Sequence, residues 1–97
     1  MMLDLEKLTP EEISALDQYA QAKALAQVMA EQIAVSLEIR ETRTSYIQKK
    51  ITLLRDGSFD ARADAMATRA ELENAIERGR MLRDVRSCLQ SLLRSTA

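Results

Sequence analysis

Between Pro10 and Gly57 the chain carries neither glycine nor proline, and only one further glycine, Gly79, lies beyond them. A chain this poor in turn-forming residues has few places to reverse direction. Arg55-Asp56-Gly57-Ser58-Phe59-Asp60 is the one stretch where a long helical pattern clearly stops and another begins. Gly57 suits the left-handed position after a helix, Ser58 can cap the next one, and Asp60 falls in its first turn. The expected fold is therefore all-α: a long antiparallel helical hairpin or three-helix bundle with coiled-coil-like packing.

The first helix has a well-marked start. Thr9-Pro10-Glu11-Glu12 puts a hydroxyl at N-cap, proline at N1 and glutamate at N3, a capping box with two carboxylates at the positive end of the helix dipole. Leu8 and Ile13 then have the spacing of a hydrophobic staple. Ile13, Leu16 and Ala20 begin an apolar stripe, and Ala22, Ala24 and Ala26 allow a neighbouring helix to come close. From Val28 to Ile39 the apolar face widens: Ile33 and Leu37 lie on one side, Val28, Val35 and Ile39 on another. A helix apolar over more than about 100° of arc is usually sandwiched between two neighbours. Self-association or a protein partner is therefore expected.

Arg40-Glu41-Thr42-Arg43-Thr44-Ser45 is the ambiguous stretch, polar and holding three residues that compete for backbone hydrogen bonds. Ser45-Tyr46-Ile47-Gln48 reads as a second capping box. Either one helix of roughly 45 residues runs to the turn, about 68 Å at 1.5 Å per residue, or it breaks near Thr42–Ser45. The chain is expected to form a single all-helical domain over residues 1–97, with helices at about 10–41, 45–55 and 59–94, the first two merging if no break occurs. Ile47, Ile51 and Leu54 continue the stripe to the turn. Beyond it a heptad-like seam runs through Ala65, Thr68, Leu72, Ala75, Gly79, Leu82, Arg86, Leu89 and Leu93, broadened by Ile76, Val85, Cys88 and Leu92. Gly79 inside a helix costs about 1 kcal/mol relative to alanine, which points to close helix contact there.

Composition removes several function classes. The chain is 46% hydrophobic but 3% aromatic, so little is available for base stacking. It has no histidine, the commonest acid–base group and metal ligand, and a single cysteine makes neither a disulfide framework nor a thiolate zinc site. No catalytic, metal or cofactor site is expected. Cys88 lies on the apolar stripe and reads as a core thiol. The carboxylate pairs Asp60/Asp64, Glu73/Glu77 and Glu38/Glu41 each share a helix face, but with no evident basic complement they read as solvated surface. Net charge is −1, with an uneven spread: residues 1–39 hold seven acids against Lys7 and Lys23, whereas residues 40–97 hold twelve bases and eight acids. Arg78, Arg80, Arg83, Arg86 and Arg94 form the one basic cluster, of which Arg80, Arg83 and Arg86 offer a face for an anionic partner; nucleic acid is nevertheless not the expected partner. No apolar run approaches the roughly 20 residues of a membrane span, and the first residues are acidic where a signal peptide is basic. A cytoplasmic protein is expected.

Ile13-Ser14-Ala15-Leu16-Asp17 resembles the opening of the small all-helical chorismate mutases. That family needs cations for its dicarboxylate substrate, yet Glu11 and Glu12 stand where an arginine is required and Leu25 to Ser36 contain none. The hairpins with a Trp-x-Gly turn exported by ESX systems are similar in length and acidity, but this chain has no tryptophan. Residues 46–93 resemble the small helical-hairpin co-chaperones of type III secretion, the YscE-type proteins. The likeness rests on the basic end Lys49-Lys50-Ile51-Thr52-Leu53-Leu54-Arg55, the Asp56-Gly57 turn, and Leu72-Glu73-Asn74-Ala75-Ile76-Glu77 within the second helix. It covers about half of the chain, and the helix before it is an addition to that pattern. The resemblance implies a chaperone for an aggregation-prone helical subunit.

The expected function is a non-catalytic protein-interaction module, an adaptor or secretion co-chaperone that covers a partner's amphipathic helix. Val28, Ile33, Val35, Leu37, Ile39, Ile47, Ile51, Leu72, Ile76 and Leu82 are the candidate contacts. The alternatives are a small phage-type or regulatory inhibitor, and a nucleic-acid-binding regulator using the Arg78–Arg86 face.

Overall fold

The computed structural model describes residues 9–95, and these form three helices: α1 Pro10–Ala15, α2 Gln18–Asp56 and α3 Phe59–Ser95. The two long helices pack antiparallel about the Gly57 turn, and α1 folds back onto α3. At about 1.5 Å per residue, the 39 residues of α2 account for the 58 Å long axis of a molecule only 22 × 18 Å across. The lead-in 3–8, including the Leu8 half of the expected staple, and Thr96 and Ala97 of the tail lie outside the described residues.

Thr9 caps α1 as expected: its hydroxyl accepts the Glu12 N–H at 3.2 Å and donates to Glu12 Oε1 at 3.2 Å. The helix then ends early. Leu16 takes an extended conformation, and Asp17 starts α2 by accepting the Ala20 N–H at 2.7 Å. The sequence pattern predicts a helix running straight through this point. A side-chain carboxylate that can cap offers the backbone an alternative to helix continuation, and the kink lets Ile13 bury itself against α3. Gln21 holds the kink from inside, its Nε2 donating to the Leu16 and Ile13 carbonyls at 3.0 and 3.4 Å.

No break occurs at Thr42–Ser45, and α2 is continuous to Asp56. The Thr44 hydroxyl donates to the Arg40 carbonyl at 3.0 Å, a bond compatible with the helix, while Thr42 and Ser45 are half-buried. The turn forms as its residues dictate. Gly57 has φ 64°, its N–H donates to the Leu53 carbonyl, and the Ser58 hydroxyl accepts the Ala61 N–H at 3.1 Å.

The seam between α2 and α3 has two zones. Towards the open end it is apolar: Val28, Val35, Leu82, Val85 and Leu89 are buried with Ile13 and Ala24. The helices are in contact at Gly79 but do not require a glycine there: a Cβ would stand 3.5 Å from both Ile39 Cδ1 and Val35 Cγ1, an ordinary van der Waals distance. Towards the turn the seam becomes small and polar. Ala65, Thr68 and Ala75 are buried opposite Thr42, Ser45 and Lys49, and the Lys49 Nζ donates to Thr68 Oγ1 at 2.7 Å.

Candidate partner-binding surface

Every seventh residue of α2 from Gln21 to Lys49 (Gln21, Val28, Val35, Thr42, Lys49) is buried or half-buried, the series ending at the exposed Asp56 beside the turn, and so is every seventh from Leu25 (Leu25, Gln32, Ile39, Tyr46, Leu53). These two lines face α3. A second heptad row runs up the far side of the same helix: Ile33, Leu37, Arg40, Thr44, Ile47, Ile51, Leu54. Its five apolar members are exposed, from 46% at Ile51 to 80% at Leu54. Two apolar rows on nearly opposite faces explain why α2 reads as broadly apolar rather than amphipathic. The row runs past both zones of the seam: Ile33 and Leu37 stand beside the apolar zone, and Ile47, Ile51 and Leu54 beside the polar one, where Thr42, Ser45 and Lys49 are half-buried.

The ten apolar residues expected to bind a partner therefore separate. Val28, Val35 and Leu82 are a correction: they are buried in the seam and belong to the internal core. Ile39, Leu72 and Ile76 are half-buried beside it, and Ile33, Leu37, Ile47 and Ile51 stand on the outward row. Periodicity groups residues onto one face but does not say which face meets which neighbour, so the two rows read as one wide stripe. Leu54, Met29, Phe59 and Met66 are exposed as well and were not among the candidates. The spacing of Leu54 from Ile47 and Ile51 was the signal that could have placed it there.

The arginines are also spoken for unequally. Arg86 donates to Gln32 Oε1 at 2.9 Å, Arg80 lies 3.8 Å from Glu77, Arg78 pairs with Glu38, and Arg83 is exposed. Each carboxylate pair has at least one member engaged by a base: Asp64 by Lys49 at 3.1 Å, Glu73 by Arg69 at 3.1 Å, Glu38 by Arg78 and Glu77 by Arg80. Among the described residues no group of acids, cysteines or histidines gathers where it could hold a metal ion, and no helix is long and apolar enough to cross a membrane.

The two flanks of the hairpin differ. On one, α1 lies over α3, with Pro10 and Ile13 against Val85 and Cys88. Among the described residues α1 does not reach the other flank, which carries two grooves between α2 and α3. One, of about 420 Å³, is lined by Met29, Gln32, Ile33, Ser36, Leu37, Arg40 and Arg86. The second, of about 290 Å³, is lined by Tyr46, Lys50, Leu53, Arg62, Ala65, Met66 and Arg69. Compared with known proteins, the chain matches no family model, no curated protein and no solved structure.

Proposed function

We propose that the protein is a non-catalytic interaction module whose α2 covers an amphipathic helix of a partner protein. The observation that carries this reading is the outward row Ile33, Leu37, Ile47, Ile51 and Leu54, set on the face of α2 opposite α3. A helix with apolar rows on two opposed faces is suited to lie between two neighbours, and α3 is only one. The exposed parts of these five side chains amount to roughly 4–9 kcal/mol of gross burial, taking about 1.5–3 kcal/mol for a whole side chain. Association costs at least about 4 kcal/mol. The row alone therefore supports a reversible contact, as an adaptor or chaperone needs.

The likeness of residues 46–93 to YscE-type co-chaperones gives the reading its most concrete form, in which the partner is a helical secretion subunit kept from aggregating. The lone, half-buried Cys88 suits a reducing compartment such as the cytoplasm. The test is capture from the native host with wild type and the Ile33→Asp/Leu37→Asp variant, read by mass spectrometry. A defined protein held by wild type and lost by an equally helical variant supports the reading. Identical captures, with unchanged mass by light scattering, overturn it.

A further inference from the structure

The two grooves on the flank away from α1 form one strip. Gln32, Tyr46 and Leu53 are separated by multiples of seven and so lie on one line of α2, as do Ser36 and Lys50. On α3, Ala65 and Arg86 are likewise on one line, three heptads apart. Both grooves have apolar floors, Met29, Ile33 and Leu37 in the first, Leu53, Ala65 and Met66 in the second. Their charged lining is cationic only: Arg40 and Arg86 in the first, Lys50, Arg62 and Arg69 in the second. The adjoining Glu73 is already engaged by Arg69.

We infer that this strip receives an acidic amphipathic helix of another protein, with apolar side chains at three- and four-residue spacing and glutamate or aspartate beside them. The inference rests on the interaction reading above and adds the chemistry of the partner. From Met29 to Leu53 the strip is about 36 Å long at 1.5 Å per residue, so a helix of about 24 residues spans both grooves. Carboxylates along its edges meet Arg40, Lys50, Arg62 and Arg86, none of which has an acidic partner among the described residues, which sets orientation and speeds encounter.

A second copy of this chain is a poor occupant. Paired antiparallel so that Ile33 meets Ile51 and Leu37 meets Ile47, two copies bring their Arg40 and Arg43 side chains together at the two-fold axis. Paired in parallel, Arg40 faces Arg40. Like charges so placed oppose association. Nucleic acid uses the cations but not the methionine, isoleucine and leucine floors.

The test is fluorescence anisotropy with a labelled peptide of about 24 residues, leucine at heptad a and d and glutamate at the flanking positions. A counterpart with lysine for glutamate and a single-stranded oligonucleotide complete the set. The glutamate peptide is expected to bind, to weaken as salt rises, and to lose roughly tenfold or more in affinity on Arg40→Glu/Lys50→Glu. Ile33→Asp/Leu37→Asp is expected to remove binding with helicity unchanged. Equal or tighter binding of the lysine peptide overturns the inference while leaving the interaction reading intact. Tighter binding of the oligonucleotide, or a dimer in light scattering that Ile33→Asp dissolves, overturns it in favour of phosphate or a second copy. If no peptide binds and the chain is monomeric, the inference falls; the host capture decides the broader reading separately.

Discussion

The Lys49 ammonium donates to the Thr68 hydroxyl at 2.7 Å inside a helix–helix seam, at a level where coiled coils ordinarily place leucine. Thr68 is buried and itself donates to the Asp64 carbonyl, and Lys49 reaches the Asp64 carboxylate as well. This end of the hairpin is held by a polar network rather than by apolar packing. Thr68 is buried and Lys49 half-buried, and replacing both members of a desolvated polar pair by apolar groups of similar shape is often neutral or stabilising. Lys49→Met/Thr68→Val is therefore expected to raise the melting temperature by about 4–8 °C per kcal/mol gained. A fall in calorimetry would mean that the network is a net source of stability.

The two glycines are expected to respond in opposite directions to alanine. At Gly57, φ is 64° and nothing lies within 4 Å of a new Cβ, so the cost is conformational only, about 1–2 kcal/mol. At Gly79 the new methyl meets Ile39 and Val35 at 3.5 Å, ordinary van der Waals distance, and helix propensity improves by about 1 kcal/mol. Urea midpoints of Gly57→Ala and Gly79→Ala check both signs.

Core and outward residues of the same chemistry should separate in stability. Leu82→Ala removes a fully buried side chain and is expected to cost about 2–5 kcal/mol. Leu54→Ala, on the outward row, is expected to stay within about 0.5 kcal/mol. Equal losses for the two in chemical denaturation would contradict the assignment of Leu54 to a free face.

The α1 fold-back should govern access to Cys88, which lies beside Pro10 and Ile13. Ile13→Asp places a charge where a buried side chain was, and Gln21→Ala removes the amide that ties the kink to the Leu16 and Ile13 carbonyls. Each is expected to speed labelling of Cys88 by a thiol reagent by roughly tenfold, corresponding to about 1.4 kcal/mol of local opening. Labelling rates, with circular dichroism reporting on the intact hairpin, read this out.

Much of this was legible in the residues alone, wherever the cause is local. Thr9, Gly57 and Ser58 act on backbone groups within four positions, so the α1 start and the hairpin turn follow from composition at those sites. The α3 seam from Ala65 to Leu89 was readable because a seven-residue repeat survives in any helical context. At Thr44 the same local chemistry is ambiguous, and at Asp17 it is hidden inside an unbroken helical pattern: each side chain can cap or stay in a helix. The choice fell to packing, since the kink at Leu16–Asp17 buries Ile13 on α3. Tertiary structure likewise divided one wide apolar stripe into a buried line through Val28 and Val35 and an exposed row through Ile33 and Leu37. Periodicity is a property of one helix, whereas burial depends on where the second helix lies, and only the docking of α3 fixed which face stayed open.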